Sequence, residues 1–260
     1  MWIDFPYAAT GAFTGLVIGL TGVGGGALMA PILLLVFGMA PATVVAVDLW
    51  FAAITKAVGG AIHYRGGNVD WQIVKRLWLG SLPVAAAITA LVAFEPDLTK
   101  VRWLTQAIGW LILVTAIGLL VAPKLSAIAR GRRIEHPAAF KRVQPELTVL
   151  AGAVLGICVA LTSVGAGALG SLMLLYLYPL RMTPHKLVAT EIVNSVPLAA
   201  LAGVGYLAGG KVDFHILTSL LAGSIPAVIC GSLLAGKFSA RWLQVALACI
   251  LFIVAVRIVC

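Results

Sequence analysis

The sequence predicts an all-α polytopic membrane protein made of two internal repeats of inverted topology, each a broken, re-entrant helix hairpin followed by three transmembrane helices. Three observations carry this. Of 260 residues, 62% are hydrophobic and only 10% are charged, a composition outside the soluble range. Gly19-Leu20-Thr21-Gly22-Val23-Gly24-Gly25-Gly26 has a near copy in Ala160-Leu161-Thr162-Ser163-Val164-Gly165-Ala166-Gly167. Both runs interrupt long apolar segments, where exposed backbone would stay unsatisfied in lipid. Finally, Met39-Ala40-Pro41 recurs as Met182-Thr183-Pro184, Gly66-Gly67-Asn68-Val69-Asp70 as Gly209-Gly210-Lys211-Val212-Asp213, and Gly80-Ser81-Leu82-Pro83 as Gly223-Ser224-Ile225-Pro226. These three pairs share one offset, from which the glycine tips slip slightly.

The first repeat, residues 1–121, opens with the broken segment Ala8–Phe37 and continues with helices expected at Thr43–Tyr64, Trp71–Ala93 and Val101–Val121. Residues 122–146 read as a solvated, basic cytoplasmic linker. The second repeat, residues 147–260, has the broken segment Leu147–Tyr178, then helices at Pro184–Ala208, Phe214–Ala235 and Trp242–Val259. Each full helix approaches the ~20 residues that a bilayer crossing needs. Met1–Leu20 lacks a basic leader region and reads as a retained membrane segment. Cys158, Cys230, Cys249 and Cys260 lie in apolar segments without metal spacing and read as packing residues.

Charge sets the orientation. The linker holds Lys124, Arg130, Arg132, Arg133, Lys141 and Arg142 against Glu135 and Glu146, which favours the cytoplasm. The basic loops Pro179–Lys186 and Lys237–Arg241 join it there only if Leu147–Tyr178 returns to the face it entered, with its tip near the midplane. That return inverts the second repeat relative to the first. Complete crossing by both broken segments would instead give eight spans and parallel repeats, with two basic loops outside.

Each glycine tip precedes a restarted helix whose first amides lack intrahelical partners. Glycine allows close approach, and the positive dipole end favours an anion. Close helix packing is the competing reading of the same small residues, but paired broken helices in two halves point to a midplane site in a transporter. Away from the ends of the membrane segments only Asp48, Lys56, Glu191 and Arg257 are ionisable, and such groups are costly at depth. Asp48 and Glu191 match in the repeat. They serve proton or cation coupling, or brace the tip by hydrogen bonds, or cap helix starts. Lys56 faces Ala199 in the repeat and either meets an anion, snorkels to the interface or pairs with Asp48. Asn194 shares a helix face with Glu191 and is either a substrate contact or helical glue. His63 and Tyr206 read as interfacial or loop-packing residues, Arg257 as a headgroup contact, and Trp71, Trp78, Trp103 and Trp242 as interfacial anchors.

The tip Gly22-Val23-Gly24-Gly25-Gly26, then Asp48-Leu49-Trp50-Phe51-Ala52-Ala53-Ile54-Thr55-Lys56, His63, Val69-Asp70-Trp71 and Gly80-Ser81-Leu82-Pro83, resemble the TauE/SafE sulfite exporter family. The resemblance spans nearly the whole chain and implies a bacterial inner-membrane permease for sulfite, sulfoacetate, organosulfonates or related small anions. Similar members carry histidines at Asn194 and Tyr206 and an aspartate at Glu191, so a histidine relay in the second half lacks its residues here.

The expected function is a secondary transporter of small sulfur-containing anions working by alternating access. Thr21, Gly22, Val23, Gly24, Gly25 and Gly26 in one tip, and Thr162, Ser163, Val164, Gly165, Ala166 and Gly167 in the other, would bind substrate through amides and hydroxyls. Lys56 and Asn194 would assist, with Asp48 and Glu191 in coupling or gating. No cofactor is expected beyond H+ or Na+ coupling, and the partners are a small anion and the lipid bilayer, with no nucleic acid; an oligomer is compatible with the sequence. A passive anion channel is the alternative. An intramembrane enzyme has few candidate residues, since His-Glu-x-x-His, Gly-x-Ser-x-Gly and a metal cluster are all missing from the apolar segments. Replacing Gly25 or Ala166 with Val should abolish transport while the protein still reaches the membrane, as membrane-fraction blotting beside an uptake assay would show.

Overall fold

The computed structural model describes residues 3–21, 26–63, 69–94, 102–135, 137–165 and 167–234, with positions 249, 252, 253 and 256 beyond them. The described chain is helical: α1 (Phe5–Thr21), α2 (Gly26–Leu35), α3 (Pro41–His63), α4 (Trp71–Phe94), α5 (Arg102–Glu135), α6 (Pro137–Thr162), α7 (Ala168–Leu177), α8 (Pro184–Ala208) and α9 (Phe214–Leu234). Five helices contain stretches long and apolar enough to span a membrane, at Pro41–Ala61, Trp71–Val92, Lys141–Thr162, Lys186–Ala208 and Phe214–Leu234. The helix expected at Trp242–Val259 lies largely outside the described residues, as does Arg257.

Helix starts follow the repeat. Asp70 Oδ1 accepts from the Ile73 amide at 3.4 Å, and its counterpart Asp213 accepts from His215 and Ile216 at 3.0 and 3.1 Å. Each aspartate therefore satisfies amides that the first turn of α4 or α9 leaves open. Thr183 does the same for α8 through the Lys186 amide, with Pro184 in the first turn.

Both broken segments turn back. The rings of Tyr7, in the first turns of α1, and Phe37, just after α2, stack with centroids 4.4 Å apart. Correspondingly, the Thr148 and Tyr178 hydroxyls meet at 2.7 Å, and Gln144 Nε2 donates to the Leu177 carbonyl at 2.6 Å. The end of α7 thus lies beside the beginning of the apolar part of α6, so this pair is a hairpin that leaves by the end it entered. α2 and α7 have ten residues each, about 15 Å of helix, which is half the ~30 Å hydrocarbon core.

The hairpins enter from opposite ends of the bundle. The α1 end is marked by Asp4, whose amide donates to Ser219 Oγ at 3.3 Å and whose carboxylate lies 3.5 Å from His215 at the start of α9. The α7 end is marked by Arg181, whose guanidinium holds Asp70 at the start of α4 with contacts of 2.6 and 3.0 Å. α9 and α4 begin at opposite ends because α3 and α8 run antiparallel, Lys56 beside Glu191 and Trp50 beside Gly203.

Glycine seams lock the halves together. α1 runs parallel to α9, and α6 parallel to α4, at backbone contact. A Cβ at Gly15 would lie 2.6 Å from the Ser224 carbonyl oxygen, and one at Gly156 would lie 2.6 Å from that of Ser81. Each repeat therefore packs its entering helix against the other repeat's Gly-Ser-x-Pro helix. The largest fully buried side chains include Phe51, Leu49, Met29 and Tyr206, which join a core contributed by both halves.

One expectation is corrected. Residues 122–135 and 137–146 are helical in place of the expected loop, because α5 continues to Glu135 and α6 begins at Pro137. The basic stretch is rich in residues that propagate a helix, and a helix leaving the bilayer needs no partner to satisfy its backbone. Lys124, Lys141 and Arg142 are exposed on it. Because Gly156 touches backbone, Gly156→Val should force α4 and α6 apart and cost about 1–3 kcal/mol or more. The check is a lowered melting temperature, or loss of the monodisperse peak, for detergent-solubilised protein.

Candidate functional site

Polar side chains converge where α3, α8 and the tip of the α6–α7 hairpin meet. Asp48 is fully buried and Lys56, Glu191, Asn194, Ser195 and Ser163 are each at most 3% exposed. Asp48 and Glu191 both lie seven residues beyond the proline that opens their helix, so neither caps a helix start.

The hairpin tip is shaped by backbone. Ser163 has φ 58° and Gly165 φ 108°, and for serine the left-handed region costs on the order of 1 kcal/mol. In that conformation the Ser163 hydroxyl donates to Asp48 Oδ2 at 2.6 Å, binding the tip to the middle of α3. Thr162 Oγ1 donates to the Cys158 carbonyl at 2.6 Å and accepts from the Val164 amide at 3.3 Å. Both hydroxyls are thus engaged inside the protein in this conformation. After the tip, Gly167 precedes α7 without any side-chain cap. Among the described residues, nothing accepts from the amides of Gly167, Ala168 and Leu169.

Glu191 is held differently from its counterpart. The residue aligned with Ser163 in the first tip is Gly22, which has no hydroxyl to offer as a donor. The donor to Glu191 is Lys56: its ammonium lies 2.9 Å from Glu191 Oε1 and 2.9 Å from Ser195 Oγ. The lysine therefore neither snorkels nor pairs with Asp48, but closes an ion pair between the two repeats. A pair at this depth persists because separating it would leave an uncompensated charge in a low-dielectric interior. Glu191 also lies against α7, where a Cβ added at Gly170 would be 3.7 Å from its Cγ.

Three acceptors here remain unmatched among the described residues: Asp48 Oδ1, Glu191 Oε2 and Asn194 Oδ1 have no hydrogen-bond partner. Buried polar atoms are rarely left so. A cleft of about 440 Å3 between α3, α4 and α8 is lined by apolar residues including Ala57, Gly60, Trp78, Ile192 and Pro197; none of the buried charges lines it.

Of the residues proposed to hold substrate, Gly22, Val23, Gly24, Gly25 and Ala166 lie outside the described residues, while Thr21 and Gly26 are the last residue of α1 and the first of α2. Ser163 meets Asp48 and Lys56 meets Glu191, with Thr162, Val164 and Gly165 beside Ser163 in the tip and Asn194 buried one turn from Glu191 on α8. Tyr206 is not interfacial: it is fully buried, and its hydroxyl donates to the Ala160 carbonyl at 3.1 Å, bracing the last turn of α6. Trp78 is likewise not a simple interfacial anchor, since its indole N–H donates to the Asn194 carbonyl at 3.3 Å. Sequence reasoning missed Ser195, although its place one turn after Glu191 put it on the same face.

A family model described as "Sulfite exporter TauE/SafE" matches residues 7–258. The chain is 35% identical over 252 residues to "Probable membrane transporter protein YjnA" of Bacillus subtilis (strain 168), covering 96% of this chain and 97% of that protein. It is 25% identical over 242 residues to "Probable membrane transporter protein YdhB" of the same organism, covering 92% and 91%. No solved structure matches.

Lys56→Met should destabilise the protein by about 3–5 kcal/mol by stranding Glu191. The double variant Lys56→Met/Glu191→Met should recover most of that loss. Thermal unfolding of the purified single and double variants measures the coupling.

Proposed function

We propose, from the premise that the chain belongs to the sulfite exporter TauE/SafE family, that this membrane transporter is a secondary carrier of small sulfur-containing anions such as sulfite, sulfoacetate or other organosulfonates. The observation that carries the reading is a half-helix whose first amides find no acceptor among the described residues, set beside a buried lysine and two buried carboxylates. Amides at a helix N-terminus and a nearby ammonium suit an oxyanion, which offers several acceptor oxygens. The family description points to sulfur chemistry, the apolar composition suits a bilayer, the family resemblance implies a bacterial inner membrane, and the basic charge around the α5–α6 junction favours the cytoplasm for it.

The carrier works by alternating access, exposing the hairpin tips to each side in turn. Glycine seams along α1–α9 and α4–α6 constrain that motion. Two bodies cut at the repeat boundary would have to part both seams, so the moving units each combine an entering helix with its partner from the other repeat. Asp48 and Glu191 provide the coupling or gating groups, with H+ or Na+ as the coupled ion. A passive anion channel is the second reading, and the buried charge pair speaks against it, because a simple pore has no need to neutralise a lysine internally.

Purified protein in liposomes should show saturable sulfite uptake that is accelerated by sulfite loaded on the other side. Acceleration by trans substrate identifies a carrier; flux that rises linearly with concentration and ignores trans substrate would establish a channel instead. A panel with sulfate and acetate as controls should leave sulfite or an organosulfonate preferred by at least tenfold.

A further inference from the structure

The Lys56–Glu191 pair joins the repeats through one oxygen of the carboxylate only. Lys56 Nζ takes Oε1 at 2.9 Å, while Oε2 is buried with no hydrogen-bond partner, as is Asn194 Oδ1 one turn along the same face of α8. From this geometry we infer that Lys56 exchanges partners during transport, releasing Glu191 to bind the substrate anion while Glu191 takes up one proton, so that anion and proton cross together. The inference rests on the carrier reading above.

The charge balance is explicit. In the structure the buried ammonium and carboxylate sum to zero. When an anion accepts the Lys56 hydrogen bonds, the Lys56–Glu191 contact breaks and the carboxylate would stand alone in the protein interior, which is strongly unfavourable. A proton from water on the open side, bonding to Oε2, restores neutrality, and the new O–H can donate to the unmatched Asn194 Oδ1. Releasing the anion reverses both steps, returning the proton to water and Lys56 to Glu191. Ser195, which accepts from Lys56 at 2.9 Å, keeps the ammonium solvated during the exchange. Glu191 meets few other ionisable groups: Lys56 on α3 is its ion partner, Asp48 on the same helix is committed to Ser163, and α7 presents Gly170.

The symmetry break supports this assignment. Asp48 is held by a neutral hydroxyl, so no charge is exchanged there, and its repeat equivalent alone has a lysine to trade. The unpaired acceptors are also what an exchange requires, because a carboxylate bonded at both oxygens has no atom ready for the proton.

Titration calorimetry tests the idea on detergent-solubilised protein at neutral pH with methanesulfonate and sulfoacetate, whose acid groups are fully ionised, so that any proton taken up belongs to the protein. Repeating each titration in two buffers of different ionisation enthalpy gives the protons bound per anion. The wild type should take up close to one proton per anion, Glu191→Gln should bind with a proton number near zero, and Lys56→Met should bind at least tenfold more weakly. Binding by the wild type with no proton uptake, or unchanged affinity in Lys56→Met, overturns the exchange while leaving the carrier reading intact. Failure of both anions and of sulfite to bind the wild type removes the carrier reading and the exchange with it.

Discussion

A charge placed in hydrocarbon must be neutralised, and the arrangement of α3 against α8 answers that requirement. Lys56 and Glu191 come from different repeats and are both buried, so their pairing forms only when the two halves meet. The ion pair therefore specifies how the halves face one another as well as how they are held. Buried pairs of this kind contribute little net stability compared with apolar packing, but breaking one is expensive. Such a contact is suited to being exchanged rather than simply lost.

Around that contact the structure is fastened by two seams of small residues. Without a hydrophobic force between helices in lipid, association depends on close van der Waals packing, and glycine permits the backbones of α1 and α9, and of α6 and α4, to touch. The result is an interlocked molecule in which sequence repeats and structural units differ. Each hairpin enters beside a helix of the opposite half, and the α6–α7 tip reaches the buried polar layer, where Ser163 meets Asp48. The buried polar layer takes its members from both halves, with Asp48 and Lys56 from one and Ser163 and Glu191 from the other.

The near-symmetry makes the departures informative. Tyr7 with Phe37 and Thr148 with Tyr178 close the two hairpins at equivalent places, one by ring stacking and one by a hydrogen bond. Asp48 and Glu191 are equivalent carboxylates with unlike partners, a hydroxyl and an ammonium. The donor to Glu191 is the lysine on α3, and the position matching that lysine on α8 is the uncharged Ala199. The two carboxylates are thus alike in burial but unlike in the charge of their partners.

The sequence by itself determined the membrane class, the broken segments, the self-similarity of its two halves and the presence of Asp48, Lys56 and Glu191 at depth, because each follows from local composition or from matching stretches along the chain. Helix-breaking residues in an apolar run and carboxylates at matching positions are visible without knowing what they touch. Only the tertiary structure decided that Lys56 pairs with Glu191 and not with Asp48, that Tyr206 and Trp78 turn inward to backbone carbonyls, and that the basic linker stays helical. Those outcomes depend on which helices become neighbours. A partner on another helix leaves no periodic trace in the chain, and a helix carrying charge out of the bilayer looks, residue by residue, like a solvated loop.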